Sequence, residues 1–398
     1  VLKDGPGYKA GLLTGDKFIK VDDSSVAGNK TDADVFRKLL RGDRGTKVTI
    51  TFLRNKDKKQ TTITRDAIPL TSVDASYMMT REIGYIRLNK FSSVTYREFM
   101  ESLEALKKAG LQKLILDLRG NGGGVLDEAV EIADEFLEGD KLITYTEGKH
   151  VEKKEYRCRR NGQFEKGELI VLADEGTASA SEVLMGALQD WDRATIVGRR
   201  TFGKGLVQEQ FDLSDKSALR LTVARYYTPV GRSIQRPYTN GGKAYYEEIS
   251  NRYHNGTAQF EDSLKIDAGK IYKTKGGKTV YGKGGITPDY FTALDTAGFS
   301  KSSILIYNKG TISNYAYNFY LQNLALLKTY KTPADFITGF SFTDENWKQF
   351  VIFAARDTAD ISLAPAKEKT DLINRIRASI ARHIWRNEGF FEVMNKSD

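Results

Sequence analysis

The chain has 398 residues, 40% of them hydrophobic and 28% charged, which argues against wholesale disorder and predicts about two to four domains. It holds no run of about 18 apolar residues, so no helix in it spans a membrane, and its one cysteine, Cys158, excludes an internal disulfide or a multi-thiolate metal site. The net charge of +9 is spread, with Lys and Arg interleaved among Asp and Glu as on a solvated surface, and does not call for a nucleic-acid partner; the three histidines (His150, His254, His383) lie far apart and show no metal-ligand spacing.

The chain starts at Val1 with no basic or apolar leader, so its numbering is expected to begin inside a longer precursor. Residues 1–66 read as a small β-rich module. A turn at Gly15-Asp16 precedes a strand at Phe18–Val21, Asp32–Leu40 has helical spacing, and Lys47–Phe52 and Thr61–Arg65 alternate around a charged turn at Asn55–Lys59, as in a hairpin. From 67 to 236 strands alternate with helices. Strands are predicted at Gly84–Leu88, Leu114–Leu118 and Leu169–Ala173, the last two nearly continuous apolar runs of the kind buried on both faces. Helices are predicted at Tyr96–Lys108, Leu126–Leu137 and Ser181–Gln189, an alternation that implies crossovers and a largely parallel or mixed sheet. Residues 237–281 are polar, rich in Gly, Tyr and Lys and weakly periodic, which predicts a loop-like insertion; 282–295 return to the core, and 296–398 read as a helical region, with apolar stripes at Tyr315–Tyr330, Asn346–Ala355 and Leu372–Ile384.

Three segments carry residues suited to chemistry. Asp117-Leu118-Arg119-Gly120-Asn121-Gly122-Gly123-Gly124 lies between a strand and a helix; its glycines permit positive φ and close approach to a ligand, beyond what a tight turn needs. Asp174–Glu182 sets a serine among small residues where a helix starts, which suits a nucleophile but equally suits a capping box, Ser179-x-x-Glu182. Gly198–Gln208 nearly matches a phosphate-binding loop, but Gly205 stands where the Mg²⁺-binding hydroxyl belongs; Lys204 between two glycines reads either as a surface turn lysine or as a base with little steric cover. Together, a Gly-rich amide nest, a serine and a lysine are the parts of an acyl hydrolase that needs no histidine and no cofactor.

At these residues the chain resembles the C-terminal processing peptidases, or tail-specific proteases, which are Ser/Lys endopeptidases with a PDZ domain. The resemblance rests on DLRGNGGG (117–124), EGTASASEV (175–183), TFGKGLVQ (201–208), LRLTVARYYTPVGRSIQ (219–235), KGGITPDY (283–290) and, in the first module, GYKAGLLTGDKFIKVDDSSVAG (7–28). It implies an α/β (α+β) multidomain chain: a PDZ domain at 1–66 that lacks its N-terminal side, a mixed α/β protease core of the ClpP/crotonase-like type at 67–236 plus 282–295, an insertion at 237–281 and a helical region at 296–398. It further implies Ser179, not Ser181, as nucleophile, Lys204 as general base, Gln208 as the group that orients the lysine, and an oxyanion hole from the Ala180 amide with Gly123 or Gly124.

The substrates so implied are proteins or peptides with flexible C-termini, without cofactor, metal or nucleic acid, in a bacterial periplasm or another exported location. A non-catalytic PDZ-type scaffold that binds protein C-termini and a nucleotide-binding protein using Gly198–Gly205 are the alternative readings. The resemblance also implies a PDZ domain that switches the enzyme between resting and active arrangements.

Overall fold

The structure, a computed structural model, describes residues 1–2, 5–28, 32–68, 70–238, 241–254, 270–282, 284–294 and 300–398. The chain divides into two compact units, Val1–Thr71 and Ser72–Asp398.

In the first unit a short helix α1 (Pro6–Lys9) precedes strands β1 (Lys17–Val21) and β2 (Ser24–Ser25), helix α2 (Ala33–Leu40), and strands β3 (Lys47–Arg54) and β4 (Asp57–Thr64). The antiparallel sheet runs β2-β1-β3-β4. Alternation puts Val48, Ile50, Phe52 and Ile63 inside with Leu12 and Val21, and Phe36, Leu39 and Leu40 of α2 pack on them. Asp32 caps α2 by accepting the Asp34 N–H. The hairpin turn is tighter than its charged residues predict: Arg54 pairs with Asp57, so Asn55-Lys56 alone turns the chain, with Asn55 at φ +59°. Asparagine tolerates that left-handed conformation, which matches the twist of the strands.

The second unit opens with β5 (Val73–Met78), β6 (Ile83–Leu88), α3 (Thr95–Lys108), β7 (Lys113–Asp117) and α4 (Leu126–Asp134). There follow β8 (Leu142–Glu147), β9 (Lys154–Arg157), β10 (Glu168–Ala173), α5 (Ala180–Asp190), β11 (Thr195–Gly198), β12 (Leu206–Asp212) and β13 (Ala218–Tyr227). Among the described residues six strands form a sheet ordered β16-β11-β10-β7-β6-β5, where β16 is Tyr290–Phe291. Its neighbours are parallel except for the antiparallel edge pair β5/β6, the mixed sheet that the strand–helix alternation predicts. Leu114, Leu116, Val171 and Ile196 of the sheet pack with Phe99, Leu103, Ile132, Leu184 and Leu188 of the helices in one core. Ile115, Ile170 and Leu172 keep partial exposure, so the second face of β7 and β10 is less completely covered than continuous apolar runs imply. A second, antiparallel sheet runs β12-β13-β8-β9.

The insertion departs from the loop reading. It carries α6 (Gly241–His254) and a hairpin of β14 (Ile271–Lys273) and β15 (Thr279–Tyr281), while its residues 255–269 lie outside the described ones. The helix escapes hydrophobic periodicity because its inward face sets one buried aromatic, Tyr245, beside ion pairs: Arg252 is buried and pairs with Glu248, which also takes Arg200 and Arg236.

The C-terminal helices are α7 (Lys301–Asn308), α8 (Thr311–Gln322), α9 (Leu324–Leu327), α10 (Pro333–Gly339), α11 (Asp344–Ala355) and α12 (Ala366–Met394), around a core of their own that includes Phe319, Phe336, Phe350, Ile376 and Ile380. The single helix predicted over Tyr315–Tyr330 is broken at Asn323, whose side-chain amide donates back to the Phe319 carbonyl at 2.8 Å. Helix α12 bends at Arg386, where φ is 63° and ψ −146°.

Candidate active site

The three segments singled out by composition leave the sheet side by side. Strands β7, β10 and β11 are adjacent and parallel, with Asp117 paired to Leu172 and Ala173 to Gly198. The loops after them begin at the carboxyl ends of neighbouring strands, where open α/β sheets place their ligands.

Ser179 sits at the start of α5 with φ 59° and ψ −117°. That region is strained for any residue with a side chain and costs about 1–3 kcal/mol. An ordinary cap has no need of it, since an N-cap serine adopts extended backbone. The Ser179 amide donates to Glu182 Oε2 at 2.9 Å, and the Glu182 amide donates to the Ser179 carbonyl at 2.9 Å. Capping therefore accompanies the strained turn but does not explain it.

Asn121, fully buried, locks the glycine loop against this turn. Its side-chain amide donates to the Leu88 carbonyl at 3.0 Å, and its Oδ1 accepts the Gly123 N–H at 2.9 Å. Its main-chain carbonyl accepts the Ala178 N–H at 2.9 Å and the Ser181 hydroxyl at 3.0 Å. Gly123, at φ +89°, lies so close to the serine that a Cβ there would be 2.7 Å from Ser179 Cβ and 2.8 Å from the Ala180 nitrogen. Around Gly124 the Phe91 amide donates to the Gly123 carbonyl and the Val125 amide to the Phe91 carbonyl, which turns the N–H of Gly124 itself the other way. The two candidate glycines thus differ: the Gly123 N–H is engaged by Asn121, whereas neither the Gly124 nor the Ala180 N–H has a partner among the described residues.

The lysine turn is tied to the serine turn through Glu182. This fully buried carboxylate accepts the Ser179 and Lys204 amides on Oε2 at 2.9 and 2.8 Å. On Oε1 it takes the Gly203 amide at 2.7 Å and the Thr201 hydroxyl at 2.5 Å. Burial pushes its pKa up, and the four donors pull the other way. The Phe202 amide donates to the Thr177 carbonyl at 2.9 Å, and the Gly205 amide to Gln235 Oε1 at 2.8 Å.

The backbone of Lys204 is therefore fixed beside Ser179. Its side chain is half-buried, and its ammonium makes no hydrogen bond or ion pair among the described residues, including any to the Ser179 hydroxyl. Gln208 lies on β12 with its side chain exposed and without a side-chain hydrogen bond among the described residues, so the structure does not bring it onto Lys204. Beyond Gly205 the chain runs into that strand rather than a helix, which removes the helix start that a nucleotide phosphate would need. Among the described residues no cluster of His, Cys, Asp or Glu could hold a metal, and no helix is long and apolar enough to cross a membrane.

Sequence reasoning missed two supports. Glu182 was legible only as a cap partner, although a charged residue in an otherwise small and apolar helix signals a buried carboxylate. Asp117, also fully buried, holds the Tyr85 hydroxyl at 2.6 Å, Arg87 at 2.6 Å and Arg119 at 2.8 Å. Burial raises its pKa, but Arg119 and Arg87 outweigh burial and hold the carboxyl below the usual range.

Residues 82–242 match the model of Peptidase family S41, residues 1–54 a PDZ domain, and residues 304–386 a Family of unknown function (DUF8443). Residues 1–54 are thus similar to a PDZ domain and residues 82–242 to an S41 peptidase core, ahead of a helical C-terminal region, in agreement with the resemblance read from the motifs. A probable CtpA-like serine protease of Staphylococcus epidermidis is 38% identical over 234 residues, 58% of this chain and 47% of the relative. The carboxy-terminal-processing protease of Bartonella bacilliformis is 38% identical over 240 residues, 59% of this chain and 54% of the relative. Among solved structures, a photosystem II D1 C-terminal processing protease is 28% identical, with 75% of this chain and 68% of the other covered at a TM-score of 0.41. The chain spans about half the length of the curated relatives it matches.

Proposed function

We propose that this chain is a serine endopeptidase that cleaves proteins or peptides at or near flexible C-terminal tails. The observation that carries the reading is the strained backbone of Ser179 beside two amides without a partner among the described residues, those of Ala180 and Gly124. A non-catalytic scaffold has no use for such strain.

In the proposed reaction the Ser179 hydroxyl attacks the scissile carbonyl while Lys204, having shed its own proton, takes the serine proton. The oxyanion is held by the Ala180 and Gly124 amides, with Gly123 as the close-packed spacer rather than a donor. Lys204 then protonates the leaving amine, and water hydrolyses the acyl-enzyme. Gln208 would orient Lys204 in an active arrangement different from the one described. Kinship with bacterial processing proteases supports an exported, periplasmic location. We assign the PDZ role to residues 1–66, catalysis to 67–236 with 282–295, and accessory roles to 237–281 and 296–398.

The test is cleavage of an unfolded reporter by the wild type, Ser179→Ala and Lys204→Ala from about pH 5 to about pH 9. Activity in the wild type alone, rising with pH, is the expected result. Equal activity in all three would discard both residue assignments.

A further inference from the structure

The end of α12 reaches the catalytic loop. After the bend at Arg386, the Asn387 side-chain amide donates to Asp74 Oδ1 at 2.7 Å, and the Asn395 amide donates to the Tyr77 hydroxyl at 2.8 Å. The Phe391 ring lies 4.4 Å from the guanidinium carbon of Arg87. Arg87 in turn donates to Asp117 at 2.6 Å and to the carbonyl of Arg119 at 2.6 Å. Arg119 holds Asp117 with one side of its guanidinium and Asp398 with the other, at 2.8 and 2.7 Å. The loop continues without slack towards the serine: Gly120 N–H donates to Asp174 Oδ1 at 2.8 Å, and Asn121 and Gly123 pack on the Ser179 turn. A chain of short polar contacts therefore joins the C-terminal helix to the proposed oxyanion loop.

A second observation is independent of this network. Arg386 has φ 63° and ψ −146°, a conformation that residues with side chains rarely hold. It persists only if both flanks are fixed. On one side α12 is buried in the helical core through Ile376 and Ile380; on the other, Phe390 and Val393 rejoin that core while Phe391 and the two asparagines face β5 and β6.

We propose that the segment Asn387–Asp398 positions the glycine loop of the active site, acting through Arg87, Asp117 and Arg119. These are positioning residues, since none of them is the reacting group. The inference rests on the peptidase reading for its catalytic consequence, but not for the physical coupling itself. Phe391 supplies packing under Arg87, whereas the Arg119–Asp398 pair is partly exposed and contributes less.

The experiment uses the full chain with Phe391→Ala, Asp398→Ala and Asp398→Glu. It measures kcat and KM on an unfolded reporter, and amide hydrogen exchange over the glycine loop. Phe391→Ala should lower kcat about tenfold and Asp398→Ala about threefold, each with KM within about twofold, and Asp398→Glu should restore most of the loss. Exchange at the bonded loop amides of Asn121 and Gly123 should quicken in the two alanine variants. Unchanged exchange in that loop overturns the proposal, whatever kcat does. Should Phe391→Ala fail to fold, the Asp398 pair still decides. Quickened exchange in a chain whose wild type cleaves nothing would uphold the coupling and sink the peptidase reading instead.

Discussion

The serine side and the lysine side of the site are built differently. Around Ser179, residues 177–178 and the whole of α5 are buried, and the turn is fixed by Glu182, Asn121 and the strained backbone of the serine itself. Around Lys204, only the main chain is held; the ammonium has no partner among the described residues, Gln208 is exposed, and β12 and β13 carry Phe211, Leu219 and Leu221 exposed. Groups that meet developing charge gain most from being fixed beforehand, because their alignment then costs nothing during the reaction. A proton carrier needs only to arrive. The contrast describes a site whose serine half is fixed throughout and whose lysine half is fixed in its main chain alone.

Three substitutions test that contrast, in falling order of effect. Gly123→Ala should do the most damage, because its Cβ would lie 2.6 Å from the Ala178 carbonyl oxygen and its φ is +89°. A loss of about 2–4 kcal/mol in urea unfolding and no measurable cleavage are expected, from overpacking added to a left-handed backbone. If Gly123→Ala folds and cleaves as the wild type does, the serine half is not rigid.

Glu182→Gln should cost about 1–3 kcal/mol, since an amide cannot accept all four of the donors that meet there. It should also change the pH dependence of stability. Burial raises the folded pKa of Glu182, so its contribution is complete below the unfolded value of 4.5 and is lost as pH rises through the folded pKa. Thermal midpoints on either side of that window should show this loss in the wild type and not in the variant.

Gln208→Ala should have the smallest effect on stability, with no change in unfolding; a kcat within about twofold of the wild type would mean that the exposed arrangement is the working one and that Gln208 does not orient Lys204. A larger loss of kcat with unaltered stability would show that the lysine half rearranges during turnover.

Much of the site was legible because its loops are compositional extremes. Runs such as Gly122-Gly123-Gly124 and Ala178-Ser179-Ala180 are conspicuous, and the strands before them alternate with helices so regularly that a mixed sheet follows. What stayed hidden was held by polar burial. The inward face of α6 holds Tyr245 and the Arg252–Glu248 pair rather than an apolar stripe, Asn323 breaks a helix by a side-chain bond to its own previous turn, and Glu182 reads first as a cap partner, with only its apolar neighbours to hint at burial. The choice between Gly123 and Gly124 likewise rests on which N–H is already spent, a matter of one hydrogen bond from Asn121.

The burial of α5 has an electrical consequence. Eleven residues, Ala180 to Asp190, are shut off from solvent, and their peptide dipoles add up to a partial positive charge at the Ala180 end. Mobile ions soften such a field at an exposed helix terminus within about 8–10 Å at ordinary salt, but they cannot gather around one enclosed by protein. In the proposed reaction, a carbonyl oxygen gaining charge beside Ala180 would feel that pole at nearly the same strength in dilute buffer and in brine, and ionic strength would then act on how substrates arrive rather than on how the bond breaks.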